Sequence, residues 1–137
     1  MKKALLSILF LYFLSCQEEG VLTQNQNTET INPESMLWYY GSFVPTSGIM
    51  VSGEAKIYFE NNQFKVQLEN FSISDGPDLK VYLSKSAAPT QFVNLGNLTQ
   101  QTVYTIPAGI QVSAYSHVLI HCQQYNHLFA IAELQQN

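Results

Sequence analysis

A single all-β domain, folded as an antiparallel β-sandwich or a partly closed barrel, is what the sequence predicts for residues 36–137. The first observation is a succession of short runs rich in Val, Ile, Tyr and Phe, separated by Gly, Pro, Asn and Asp; these compositions suit strands and turns respectively. The second is alternation of apolar and polar residues in several runs, the period of a strand with one buried face. The third is size, since about a hundred residues bury one core and not two.

Residues 1–15 precede that domain as an export signal. Lys2 and Lys3 supply positive charge, Ala4 to Leu14 form an apolar run, and Phe13-Leu14-Ser15-Cys16 closes it, which is the layout of a secretory signal. The run is about half the ~20 residues that a membrane-spanning helix needs, so a processed segment is expected. Phe13-Leu14-Ser15-Cys16 resembles the lipobox of bacterial lipoproteins, with Phe13 where Leu is usual. The resemblance implies that Cys16 becomes the acylated first residue of the mature chain, holding it to a membrane by lipid. Each buried methylene contributes about 0.8 kcal/mol, and stable anchoring takes more than one acyl chain. The implied location is the bacterial cell envelope, with the chain on the outer membrane facing the periplasm or the exterior.

Gln17 to Ser35 is rich in Gln, Asn, Thr and Glu, too polar to bury the surface that would offset its ordering entropy. With Cys16 it forms an expected tether over residues 16–35, a coil-like spacer. Loss of Lys2 and Lys3 leaves four lysines against ten Asp and Glu, a mature charge of −6, and there is no arginine. Nucleic acid is thereby excluded as a partner, because its phosphates demand clustered Lys and Arg. Anionic headgroups are disfavoured for the same reason.

Within the domain, Leu37-Trp38-Tyr39-Tyr40 predicts a first strand. Ala55, Ile57 and Phe59 then alternate with Lys56, Tyr58 and Glu60, and Phe64, Val66 and Leu68 with Lys65, Gln67 and Glu69, across Asn61-Asn62. That is a hairpin with one buried face. Strands are also expected at Leu79 to Leu83, Phe92 to Leu98, Val103 to Ile106, Tyr115 to Cys122 and Leu128 to Leu134. The last is apolar at consecutive positions, Leu128-Phe129-Ala130-Ile131-Ala132, and predicts a central strand covered on both sides. Between strands, Ser74-Asp75-Gly76-Pro77-Asp78 predicts a rigid corner, with Gly76 free to adopt a positive φ and Pro77 fixing the next. Asp75 and Asp78 alone are too few carboxylates for calcium.

From this corner onward the order of motifs resembles the DM13 domain: Phe71, Asp75-Gly76-Pro77-Asp78-Leu79-Lys80-Val81-Tyr82-Leu83-Ser84, Leu95-Gly96-Asn97-Leu98, Tyr104-Thr105-Ile106-Pro107 and Val118-Leu119-Ile120-His121-Cys122. Gly41-Ser42-Phe43 and Ser47-Gly48 precede it, and Phe129-Ala130-Ile131-Ala132-Glu133-Leu134 follows. The resemblance implies an extracytoplasmic β-sandwich-like domain with a proposed electron-transfer role. That role rests on a cysteine matching Cys122, taken as a naked redox thiol or as a ligand to a group such as haem. Three positions depart from the family pattern: His121 stands where an aromatic residue, often Trp, is usual, Tyr125 replaces Phe, and His127 replaces an apolar residue.

All three histidines, His117, His121 and His127, therefore cluster in sequence around Cys122. His117 and His121 share a strand face but lie about 13 Å apart at ~3.3 Å per residue, too far to hold one ion, and Cys122 points to the opposite face. No metal site is expected, and exposed, unliganded histidines are. Two registers are open for the hairpin that follows. With Gln124 and Tyr125 in the loop, Cys122 faces His127, Ile120 faces Phe129 and Val118 faces Ile131. A register shifted by one pairs Cys122 with Leu128. The first puts an imidazole beside the thiol, where its protonated form would favour thiolate.

Cys122 also shares parity with Val118 and Ile120, and free cysteine is among the most buried residue types. Two function classes follow. One is a membrane-tethered electron-transfer or thiol-redox domain with Cys122 as its chemical group, His127 as its modulator and an envelope redox protein as its partner. The other is a non-enzymatic interaction module in which Cys122 is core and Trp38, Tyr39 and Tyr40 offer a binding face. A Cys-His nucleophile lacks a third group and an oxyanion hole, and Gly-x-Ser-x-Gly, Cys-x-x-Cys-His and phosphate-loop motifs are absent, so a classical enzyme is not expected.

Overall fold

The computed structural model describes residues 29–137. The signal segment, Cys16 with its lipidation, and the tether as far as residue 28 lie outside the described residues. The strands are β1 (Met36–Pro45), β2 (Val51–Glu60), β3 (Gln63–Ile73), β4 (Leu79–Ser84), β5 (Phe92–Asn97), β6 (Val103–Thr105), β7 (His117–Cys122), β8 (His127–Glu133) and β9 (Gln135–Gln136), with one 3-10 turn at Val112–Ala114. They form one antiparallel sheet in the order β5-β4-β7-β8-β1-β2-β3-β6, with β9 on β1. The sheet curls until the outer strands β5 and β6 touch, giving a nearly closed barrel. Among the described residues no helix is long and apolar enough to cross a membrane.

One long strand joins the two halves of the sheet. Met36 to Ser42 of β1 pairs with β2, and Phe43 to Pro45 pairs with β8. Gly41 lies at the change of partner, where a Cβ would come within 2.1 Å of the Glu133 carbonyl oxygen. Only a bare Cα lets the two backbones cross so closely. The β2–β3 hairpin turns at Asn61 and Asn62, both at positive φ (51° and 61°), as a two-residue turn matched to strand twist requires.

Inward positions alternate as the sequence predicts: Ala55 and Ile57, Val66 and Leu68, Val81 and Leu83, Val118, Ile120 and Cys122 join one core. Each large aliphatic side chain buried there contributes about 1.5–3 kcal/mol. The β8 strand departs from expectation. It is central, between β7 and β1, yet its consecutive apolar residues arise from a bulge rather than from two covering layers. Phe129 has no partner on β7, so Phe129 and Ala130 both turn inward and are buried, while Leu128 and Ile131 stay half-buried on the outer surface.

The barrel has two ends. At one, Trp38 packs on Phe59 and Phe64 with ring centroids 6.0 and 5.3 Å away. The other carries Leu79, Cys122, His127 and the corner before β4.

Candidate functional site: a sealed thiol at the barrel rim

Cys122 is the last residue of β7 and has zero exposure. Its strand neighbours are Leu79 on β4 and His127 on β8. The hairpin beyond it turns through Gln123 to Asn126, where the Asn126 N–H donates to the Gln123 carbonyl (3.2 Å) and Asn126 sits at φ 49°. That short turn places His127 opposite Cys122, the first of the two registers open from sequence. The bulge at Phe129 then shifts the rest: Ile120 faces Ala130 and Val118 faces Ala132, not Phe129 and Ile131. A periodicity argument assumes a continuous ladder, and a one-residue bulge breaks it.

The corner closes over this end. The Gln123 N–H donates to the Asp78 carbonyl (3.0 Å), and the Leu98 N–H to that of Leu79 (2.8 Å). Gly76 serves a different purpose from the one expected. Its φ is not positive; instead a Cβ there would meet Leu79 Cδ2 at 2.8 Å and Phe129 Cζ at 3.0 Å, so glycine lets the corner sit directly on Phe129. Asp78 pairs with Lys80 Nζ at 2.9 Å, and Asp75 is exposed. The groove of about 440 Å³ beside the corner is walled by residues of the corner and of the β5 end, and Cys122 is not part of its wall.

The histidines separate. His127 is exposed and packs edge-on against Phe129 at 4.9 Å. His117 is half-buried near the opposite end of β7, with Nδ1 2.7 Å from Ser116 Oγ. His121 points outward as its parity predicts, but it is buried at 5% exposure rather than exposed. It lies against Tyr82 at 5.5 Å, and Tyr82 stacks on Phe92 at 4.0 Å. With Asn126 Oδ1 accepting at 3.1 Å, its ring proton sits on Nε2, and the buried Nδ1 has no partner among the described residues. Burial holds the His121 pKa below 6.5, nearby His127 adds to the effect, and the Asn126 bond opposes it. Consecutive apolar residues at Val81-Tyr82-Leu83 and Val118-Leu119-Ile120 were the sequence signal that the outer face here is also covered.

This geometry sorts the chemistry. Among the described residues no group of three or more His, Cys, Asp or Glu converges on a point that could hold a metal. A planar macrocycle ligated by Cys122 needs an open flank at the sulfur, and Cys122 has none, so the residues present do not fit haem. Thiol–disulfide exchange requires an attacking thiolate to reach the sulfur, which the closed rim prevents. Electron exchange needs closeness without contact, and Cys122 lies at the end of the barrel, where its strand neighbour His127 is exposed.

No curated protein and no solved structure matches the chain significantly. The family described as electron transfer DM13 matches residues 43–134, from β1 through the end of β8. That span is well over half the chain and contains the whole Cys122 rim, and by it the chain belongs to the DM13 family.

Proposed function

We propose that this is an electron-transfer domain held to the envelope face of a bacterial membrane by lipid on Cys16, with Cys122 as the group that exchanges the electron. The observation that carries the proposal is the pairing of sealed Cys122 with exposed His127 at one end of the barrel. One-electron oxidation of a thiol releases one proton with the electron. The electron passes to a one-electron carrier protein docked at this rim, and the proton leaves through His127. Stopped-flow mixing with ferricyanide as the acceptor tests it: wild-type protein reduces the acceptor, and Cys122→Ala does not. Equal reduction by both proteins excludes Cys122. For the anchor, Cys16→Ala should move the protein from the membrane to the soluble fraction, and retention at the membrane contradicts a lipid tether.

A second reading is favoured by the burial itself. Cys122 packs in the same core as Val81, Leu83, Val118 and Ile120, where a thiol also serves as a small hydrophobe. The domain is then an interaction module. Trp38 is 37% exposed at the opposite end, while Tyr39 and Tyr40 are half-buried, so the binding face narrows to Trp38 and its aromatic neighbours.

A further inference from the structure

The seven residues before β1, expected as the end of a free tether, are held on the barrel. The Asn32 N–H donates to Glu60 Oε2 at 2.9 Å, and Ser35 Oγ donates to the same oxygen at 2.7 Å. Lys65 Nζ donates to Glu29 Oε1 and lies 3.7 Å from Glu60 Oε1. Within the segment the Ser35 N–H donates to the Asn32 carbonyl and the Glu34 N–H to Asn32 Oδ1, so the turn is shaped to present its donors. Lys65 points away from the core, between Tyr58 on β2 and Thr105 on β6, yet its exposure is 7%. An ammonium so covered is retained only with carboxylate partners, and one of its two among the described residues comes from the segment itself.

We propose that Glu29–Ser35 is a latch, docked on the β2–β3 face through Glu60 and Lys65, whose release lengthens the spacer between the domain and its anchor. Seven freed residues add up to about 24 Å of extended reach. The consequence for reach rests on the lipid-tether reading; the latch itself does not.

Among the described residues, the charged and titratable groups around the latch are Glu29 and Glu34 on the segment, Tyr58 and Glu60 on β2 and Lys65 on β3. Lys56 lies further along β2, engaged with Glu69 at 2.8 Å and Glu54 at 3.7 Å. The Ser35 hydroxyl, then the Asn32 N–H and Lys65, hold the Glu60 carboxyl below its ordinary 4.5. Glu29, then Glu60, hold Lys65 above 10.5, against the opposing effect of burial. A depressed carboxyl stabilises the docked state above its free value and loses that contribution as pH falls through the docked one. A raised ammonium does so below its free value and loses it as pH rises through the docked one. The latch is therefore closed across neutral pH and loosens toward acid, through Glu60, and toward strong alkali, through Lys65.

Hydrogen exchange on the mature, full-length protein in detergent micelles tests it. At neutral pH the amides of Asn32 and Ser35 should exchange about tenfold or more slower in wild type than in Glu60→Gln or Lys65→Met, with β7 protection unchanged as the internal control of folding. Wild-type exchange at the unprotected rate, or both variants behaving as wild type, overturns the latch. Failure of the anchor shows separately, as unchanged membrane fractionation of Cys16→Ala, and leaves the exchange result standing.

Discussion

Gly41→Ala should destabilise the domain by at least the upper end of the ~1–3 kcal/mol typical of overpacking. The added methyl meets the Glu133 carbonyl oxygen at 2.1 Å and its carbon at 2.8 Å, and neither atom can rotate away, since both belong to backbone. Relief requires β1 to separate from the end of β8 at the point where β1 leaves β2 and joins β8, which is where the two halves of the sheet are joined. Gly48→Ala is the comparison. It meets nothing within 4 Å, but its φ of +81° makes any side chain there cost about 1–2 kcal/mol. Urea denaturation of both variants measures the difference. A Gly41→Ala midpoint equal to wild type contradicts the close crossing.

Phe129→Ala should cost about 3–5 kcal/mol, the range for truncating a buried aromatic, and should also unseal the thiol. Phe129 is 6% exposed, carries the bulge of β8, supports Gly76 of the corner and packs against His127. Its carbonyl also accepts the Thr46 N–H at 2.9 Å, a contact the substitution leaves in place, so the strand pairing survives while the core that Phe129 shares with Cys122 is opened. Labelling of Cys122 by a maleimide in the folded protein should be slow in wild type and faster in Phe129→Ala by tenfold or more, in line with local opening made easier by at least about 1.4 kcal/mol. Wild-type labelling at the rate of a free thiol contradicts the sealed rim.

Much of this fold was legible because strands with one buried face announce themselves. The alternation on either side of Asn61-Asn62 predicted β2, its turn and β3 closely, and each further run predicted from the domain sequence is a strand within a few residues. What escaped were features that break periodicity or depend on another strand. The bulge at Phe129 makes two neighbouring side chains face inward, which from sequence looks the same as a strand covered on both sides. Gly76 was expected to bend the chain and instead makes room for Phe129, a demand set by a residue more than fifty positions away. The burial of His121 depends on Tyr82 and Phe92 from two other strands. Glu29 to Ser35 is as polar as the tether predicts, and docks only because Glu60 and Lys65 on the hairpin supply partners that composition does not reveal. For the site, sequence placed Cys122 and left its neighbour open between His127 and Leu128; the short Gln123–Asn126 turn selects His127.

Electron exchange by Cys122 from inside a closed rim is the step on which the proposed function depends. Voltammetry of the mature protein on an electrode, run beside maleimide labelling of the same sample, tests it most directly. Wild type should give a redox wave while its thiol stays largely unlabelled, His127→Ala should shift that wave, and folded Cys122→Ala should show none. The same wave in Cys122→Ala, or no wave in wild type, contradicts it and leaves Cys122 as a core residue of an interaction module.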